Sequence, residues 1–136
     1  MNELIEAYKN TKYKLVEVNL TIEIGKSNKE LDALLEKHNA NEWAFITAYN
    51  PYSRVLTDDE NKIRHEELKK MTENHITYEG YGVGEDPTWE PELSMLTIGI
   101  SMEDASVLGK KFEQNAIVYG EINNTPRLLI LNEELK

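Results

Sequence analysis

Residues 43–49, Trp-Ala-Phe-Ile-Thr-Ala-Tyr, form an almost continuous apolar run, and nothing else in the chain constrains its fold as tightly. A strand with one wet face alternates apolar and polar residues. A run without that alternation reads as a strand covered on both faces or lying at the centre of a sheet. We take it as the central strand. It runs into Asn50-Pro51, and a proline disfavours the helical region for the residue before it, so Asn50 is expected to stay extended and turn late.

Around this strand the chain alternates between helix and strand signals. Ser27 with Glu30, Thr57 with Glu60 and Ser101 with Asp104 each pair an N-cap hydroxyl with an acidic residue three positions on, the arrangement that starts a helix. They predict helices over about 28–39, 58–74 and 102–114, with a weaker one over 3–8. The first and third carry apolar stripes, Leu31-Leu34-Leu35 and Ala105-Leu108-Phe112. The best stripe of the second is Asn61, Arg64, Leu68, Met71 and His75, so its inward face is partly polar. Val16 to Ile24 alternates with period two and predicts a one-sided or edge strand. Further strands are predicted over 76–81, 95–100, 116–120 and 127–131, the last two joined by a turn at Asn123-Asn124-Thr125-Pro126. Gly80-Tyr81-Gly82-Val83-Gly84-Glu85-Asp86-Pro87 reads as a mobile loop; it lacks the helix and the Lys-Ser/Thr of a phosphate-binding loop.

The expected fold is α+β: residues 1–136 as a single domain, with one mixed β-sheet of five or six strands and three helices packed against it as a two-layer sandwich. The passage from Val16 through the first long helix to Trp43 would be a right-handed crossover between parallel strands, and the C-terminal pair an antiparallel hairpin. A ferredoxin-like sandwich is the alternative.

The chain has 15 Lys and Arg against 25 Asp and Glu, a net charge of −10, which argues against duplex nucleic acid as a partner. No Lys or Arg falls between Lys70 and Lys110, which leaves an acidic middle segment that includes Glu85, Asp86 and Glu90. It reads as a solubilising surface, or as a docking site for a basic protein partner. No apolar run is long enough to cross a bilayer, the N-terminus lacks the pattern of a signal peptide, and there is no cysteine. The expected location is the cytoplasm, with no membrane association. His38, His65 and His75 show no metal-ligand spacing, so neither a metal nor a cofactor is expected.

What remains is a group of polar residues where a purely structural chain would place apolar ones. Thr47 and Asn50 lie at the end of the central strand, where open α/β sheets hold their ligands, although Asn-Pro also simply opens turns. Asn61 and Arg64 share a helix face directed toward the same strand end, or Arg64 pairs with a surface glutamate. Trp89-Glu90-Pro91-Glu92 brings an aromatic ring and two carboxylates. Gln114 and Asn115 close the third long helix, Asn115 suiting a left-handed C-terminal cap. Together Thr47, Asn50, Asn61, Arg64, Trp89, Glu92, Gln114 and Asn115 would suit a small polar or anionic ligand, because amides both donate and accept.

Four of these stretches also carry a resemblance. Trp43 to Ser53 with its Thr47-Ala48-Tyr49-Asn50-Pro51, the Asn61/Arg64 helix, Trp89-Glu90-Pro91-Glu92-Leu93-Ser94, and Phe112 to Gly120 resemble the bacterial family catalogued as domain of unknown function 3293. The likeness runs from about Tyr13 to Leu131, with Tyr49 where a tryptophan is common. It implies a stand-alone domain with a shared polar constellation at Thr47, Asn50, Asn61, Arg64, Glu92, Gln114 and Asn115. It implies no activity.

Three functions follow as expectations: binding of a small polar or anionic ligand around Asn50; an acidic protein-interaction or inhibitor module; and a hydrolase or transferase with Glu92 as general base and Arg64 as anion clamp.

Overall fold

The computed structural model describes residues 3–136. Seven strands form one curled, half-barrel sheet in the order β2-β1-β4-β5-β3-β6-β7. They are β1 (Lys12–Leu15), β2 (Thr21–Ile22), β3 (Glu42–Thr47), β4 (Ile76–Val83), β5 (Glu92–Ile98), β6 (Ala116–Glu121) and β7 (Arg127–Ile130). Four α-helices accompany them: α1 (Glu3–Lys9), α2 (Lys29–Lys37), α3 (Asp58–Met71) and α4 (Met102–Lys111).

The layers follow from β3. Its residues alternate between two buried clusters. Trp43 and Phe45 point to one face, where they meet Leu96, Ile98 and the α2 residues Leu31 and Leu35. Ala44 and Ile46 point to the other, toward Leu68 of α3 and Ala105 and Leu108 of α4. The missing alternation in residues 43–49 thus has its expected cause. Both faces of β3 are dry, and each buried large side chain contributes roughly 1.5–3 kcal/mol. On the register, Trp43 stands opposite Gly120, where a Cβ would come within 2.5 Å of the indole, so a glycine is what admits the ring.

The α+β class fits, but the expected layout does not. Every strand pair is antiparallel, so the sheet is not mixed and the crossover from Val16 to Trp43 joins no parallel neighbours. Among the described residues there are seven strands and four α-helices, not five or six and three, and helices cover both faces, not one. The ferredoxin-like alternative falls with it. The error begins at Val16–Ile24, whose clean alternation hides a hairpin. Leu15 N–H donates to Leu20 O across residues 16–20, and short strands lie on either side. Because Leu15, Leu20 and Ile22 are all buried on the same core, the turn preserves the look of a single strand. The C-terminal hairpin is antiparallel, as expected.

The cap signals placed two helices well. Thr57 and Glu60 form a reciprocal capping box at α3, and Ser101 Oγ accepts from Asp104 N–H at α4. At α2 the cap is Asn28, one residue after Ser27, with its side chain accepting from Leu31 N–H. Among the described residues no helix is long and apolar enough to cross a membrane.

Candidate functional site

The face of the sheet that carries Trp43 and Phe45 is only partly covered. Near Trp43 and Ile98, α2 fills it. Further along β3 and β5, toward Thr47 and Glu92, it is walled by α1 and by the loop from Gly84 to Glu90, which leave a cleft of about 710 Å³. That volume lies within the range of small-molecule sites, roughly 300–1,000 Å³.

Register explains the cleft's walls. Thr47 pairs with Ser94, Ser94 with Gly80, and Glu92 with Gly82, so these positions share one face. A Cβ on Gly80 would lie 2.8 Å from the Phe45 ring, one on Gly82 within 3.7 Å of the Tyr13 ring, and one on Gly84 2.8 Å from Trp89. Gly80 and Gly84 therefore leave room for the Phe45 and Trp89 rings, while Tyr13 lies in ordinary contact with Gly82. The first half of the stretch expected to be a mobile loop is strand: Gly80 and Gly82 lie inside β4, which ends at Val83. Tyr13 and Phe45 meet edge to face at 5.3 Å, and Tyr8 of α1 adds a fourth ring to the lining.

Glu92 stands within this aromatic wall, partly buried. Asn50 Nδ2 donates to its Oε2 at 2.7 Å. Burial raises the carboxyl's pKa, and the Asn50 hydrogen bond opposes part of that rise. Asn50 holds this position by leaving the extended region altogether: at φ 47° and ψ 71° it is left-handed, a conformation asparagine tolerates better than most residues. The expectation of an extended Asn50 is corrected here. Its backbone N–H donates to Asn61 Oδ1, and its own Oδ1 accepts from Asn61 Nδ2 and Leu56 N–H. Tyr52 and Ser53 also have positive φ, so the whole corner is tightly wound.

Of the eight polar positions singled out in the sequence, five line the cleft: Thr47, Asn50, Trp89, Glu92 and Gln114. Asn61, Arg64 and Asn115 stand behind it and hold the strand end. Arg64 Nε donates to Ala48 O at 2.6 Å and its Nη2 to Phe112 O, with Glu113 at 3.8 Å and the Phe112 ring beneath the guanidinium. Its donors are thus directed at the protein's own carbonyls. Asn115 Nδ2 donates to Ser53 Oγ and its Oδ1 accepts from Asn132; the left-handed residue at the end of α4 is Glu113, not Asn115. The strand-end rule for open α/β sheets does not describe this cleft, which lies on the face of an antiparallel sheet.

Sequence reasoning missed Tyr8, Tyr13, Phe45 and Ser94 in the lining. One signal was available for two of these. Glycines at alternate positions of a strand mark close approach by something bulky on one face. Among the described residues no group of three or more His, Asp or Glu side chains is placed to hold a metal ion.

A family model described as "Protein of unknown function (DUF3293)" matches residues 46–117, just over half the chain, from within β3 to within β6. No curated protein and no solved structure matches.

Proposed function

The chain belongs to the DUF3293 family, whose description assigns no activity, and from its own geometry we propose that it binds a small polar ligand in the cleft around Asn50 and Glu92. One observation carries this reading. A cavity of about 710 Å³ on an otherwise packed sheet face brings Thr47, Asn50, Glu92 and Gln114 to a lining shared with Tyr8, Tyr13, Phe45 and Trp89. Apolar walls with a few convergent polar groups are the usual make-up of a small-molecule site. Among the described residues an anion has no counter-charge there, because the charged side chains of the lining are Glu90 and Glu92.

Thermal-shift screening against a chemically diverse metabolite library tests the proposal. Ala116, whose small side chain leaves room in the cleft, supplies the control: Ala116→Leu should keep the wild-type circular dichroism spectrum and lose the ligand-induced rise in Tm. A library that shifts neither protein, or shifts both equally, overturns the reading.

A further inference from the structure

The inner wall of the cleft has its side-chain donors committed. Two of its acceptors, on Gln114 and Glu92, stay open, while Asn50 Oδ1 and Thr47 Oγ1 already accept from backbone or amide N–H groups. Thr47 Oγ1 donates to Leu93 O, Ser94 Oγ to Glu92 O, and Tyr13 OH to Tyr8 O. Asn50 Nδ2 donates to Glu92, and Gln114 Nε2 donates to the carbonyls of Tyr49 and Phe112. Two carbonyl partners fix the orientation of the Gln114 amide, since only its NH₂ can serve both. Its Oε1 is left as an acceptor, as is Glu92 Oε1. Of the other side-chain donors, the Ser53 hydroxyl is engaged with Tyr8 OH on the α1 side, and the Trp89 indole N–H lies at the exposed rim. A ligand that brought hydrogen-bond acceptors to Glu92 would find the amide and hydroxyl hydrogens already taken.

Charge points the same way. Among the described residues, Lys, Arg and His are absent from the lining, while Glu92 is partly buried with one neutral hydrogen-bond partner. A carboxylate withdrawn from water without a cation is unfavourable, and an incoming positive group relieves it. The rings add to this. Aromatic faces are electron-rich and attract cations within about 6 Å of the centroid, and Tyr8, Tyr13, Phe45 and Trp89 all contribute to the wall.

Building on the binding reading above, we propose that the ligand is a protonated amine on a flat apolar body, with the ammonium group at Glu92 and Gln114 and the body among the aromatic rings. The carboxylate supplies the counter-charge, Gln114 Oε1 a second acceptor, and the rings the apolar surface. The raised pKa of Glu92 makes recognition pH-dependent: the ammonium favours the ionised carboxylate, so binding releases a proton wherever Glu92 is still partly protonated.

Three probes with one aryl body and different heads test this: phenethylamine, phenethyl alcohol and 3-phenylpropionate, titrated into ¹⁵N-labelled protein. The expected result is that phenethylamine shifts the amides of Gly82, Glu92 and Ser94 and binds at least tenfold tighter than the other two. In Glu92→Gln, which keeps an acceptor for Asn50, that preference should vanish, and so should the gain in amine affinity as pH rises through the Glu92 titration. Equal or tighter binding of the alcohol or the carboxylate overturns the amine assignment and leaves the binding reading standing. So does a set of library hits in which none carries a cation. If no probe and no library member binds, both fall.

Discussion

Burial of His65 with neither ring nitrogen hydrogen-bonded imposes a pH dependence on folding. Desolvation lowers its pKa, against the pull of Glu79, whose carboxylate lies 3.9 Å from Nε2; Lys69 lowers it further and Glu66 opposes. The folded state therefore holds fewer protons than the unfolded state below the ordinary histidine pKa of about 6.5. The stability associated with neutral His65 is present above that pH and is lost as pH falls toward the depressed folded pKa. Urea unfolding of the wild type between pH 8 and 5 should show this decline, and His65→Leu should flatten it; parallel curves for the two proteins would remove the assignment. His65 was not legible as a core residue in the sequence, because the helix face drawn through Asn61, Arg64 and Leu68 passes beside it. The face that is buried comprises Asn61, His65 and Leu68, and a histidine buried without a hydrogen bond to either ring nitrogen runs against the usual expectation for polar groups.

At the scale of elements, the corner after β3 is held mainly by side chains reaching to backbone. Arg64 of α3 ties Ala48 at the end of β3 to Phe112 at the end of α4, and Gln114 ties Tyr49 to the same turn. Hydrogen bonds from a charged donor contribute about 1.5–3 kcal/mol each, so Arg64→Met should destabilise the fold by about 3 kcal/mol in chemical denaturation. Glu113→Gln, which removes the half-exposed partner at 3.8 Å, should cost under about 0.5 kcal/mol; a comparable loss in both would mean that the ion pair and not the carbonyl ties holds the corner. The sequence pointed to Asn50, Arg64 and Gln114 as one polar group but could not divide their labour: Asn50 and Gln114 line the cleft and Arg64 stands behind it. Which donor meets a carbonyl and which faces a cavity depends on helix packing across the sheet, and that is a long-range contact. Helix caps and the interior strand were legible because their causes are local. The hairpin inside Val16–Ile24 was not, since periodicity records which face is buried and not whether the chain has reversed between two buried residues.

At the scale of the molecule, the net charge of −10 exceeds what the surface ion pairs, such as Lys69–Glu79, Lys111–Glu67 and Arg64–Glu113, can offset. Self-repulsion of the remaining carboxylates opposes the compact state, and salt screens it over about 8–10 Å at physiological ionic strength. Raising NaCl from about 20 to about 200 mM should therefore increase Tm; a decrease would show that attractive pairs outweigh the excess charge. The cleft has a different reach. Its lining takes in Leu4 of α1 and Leu128 of β7. A cleft that draws walls from both elements loses one when either detaches, so on the binding reading occupancy and the docking of α1 and β7 share one equilibrium. A bound molecule would then slow hydrogen exchange in α1 and β7 together.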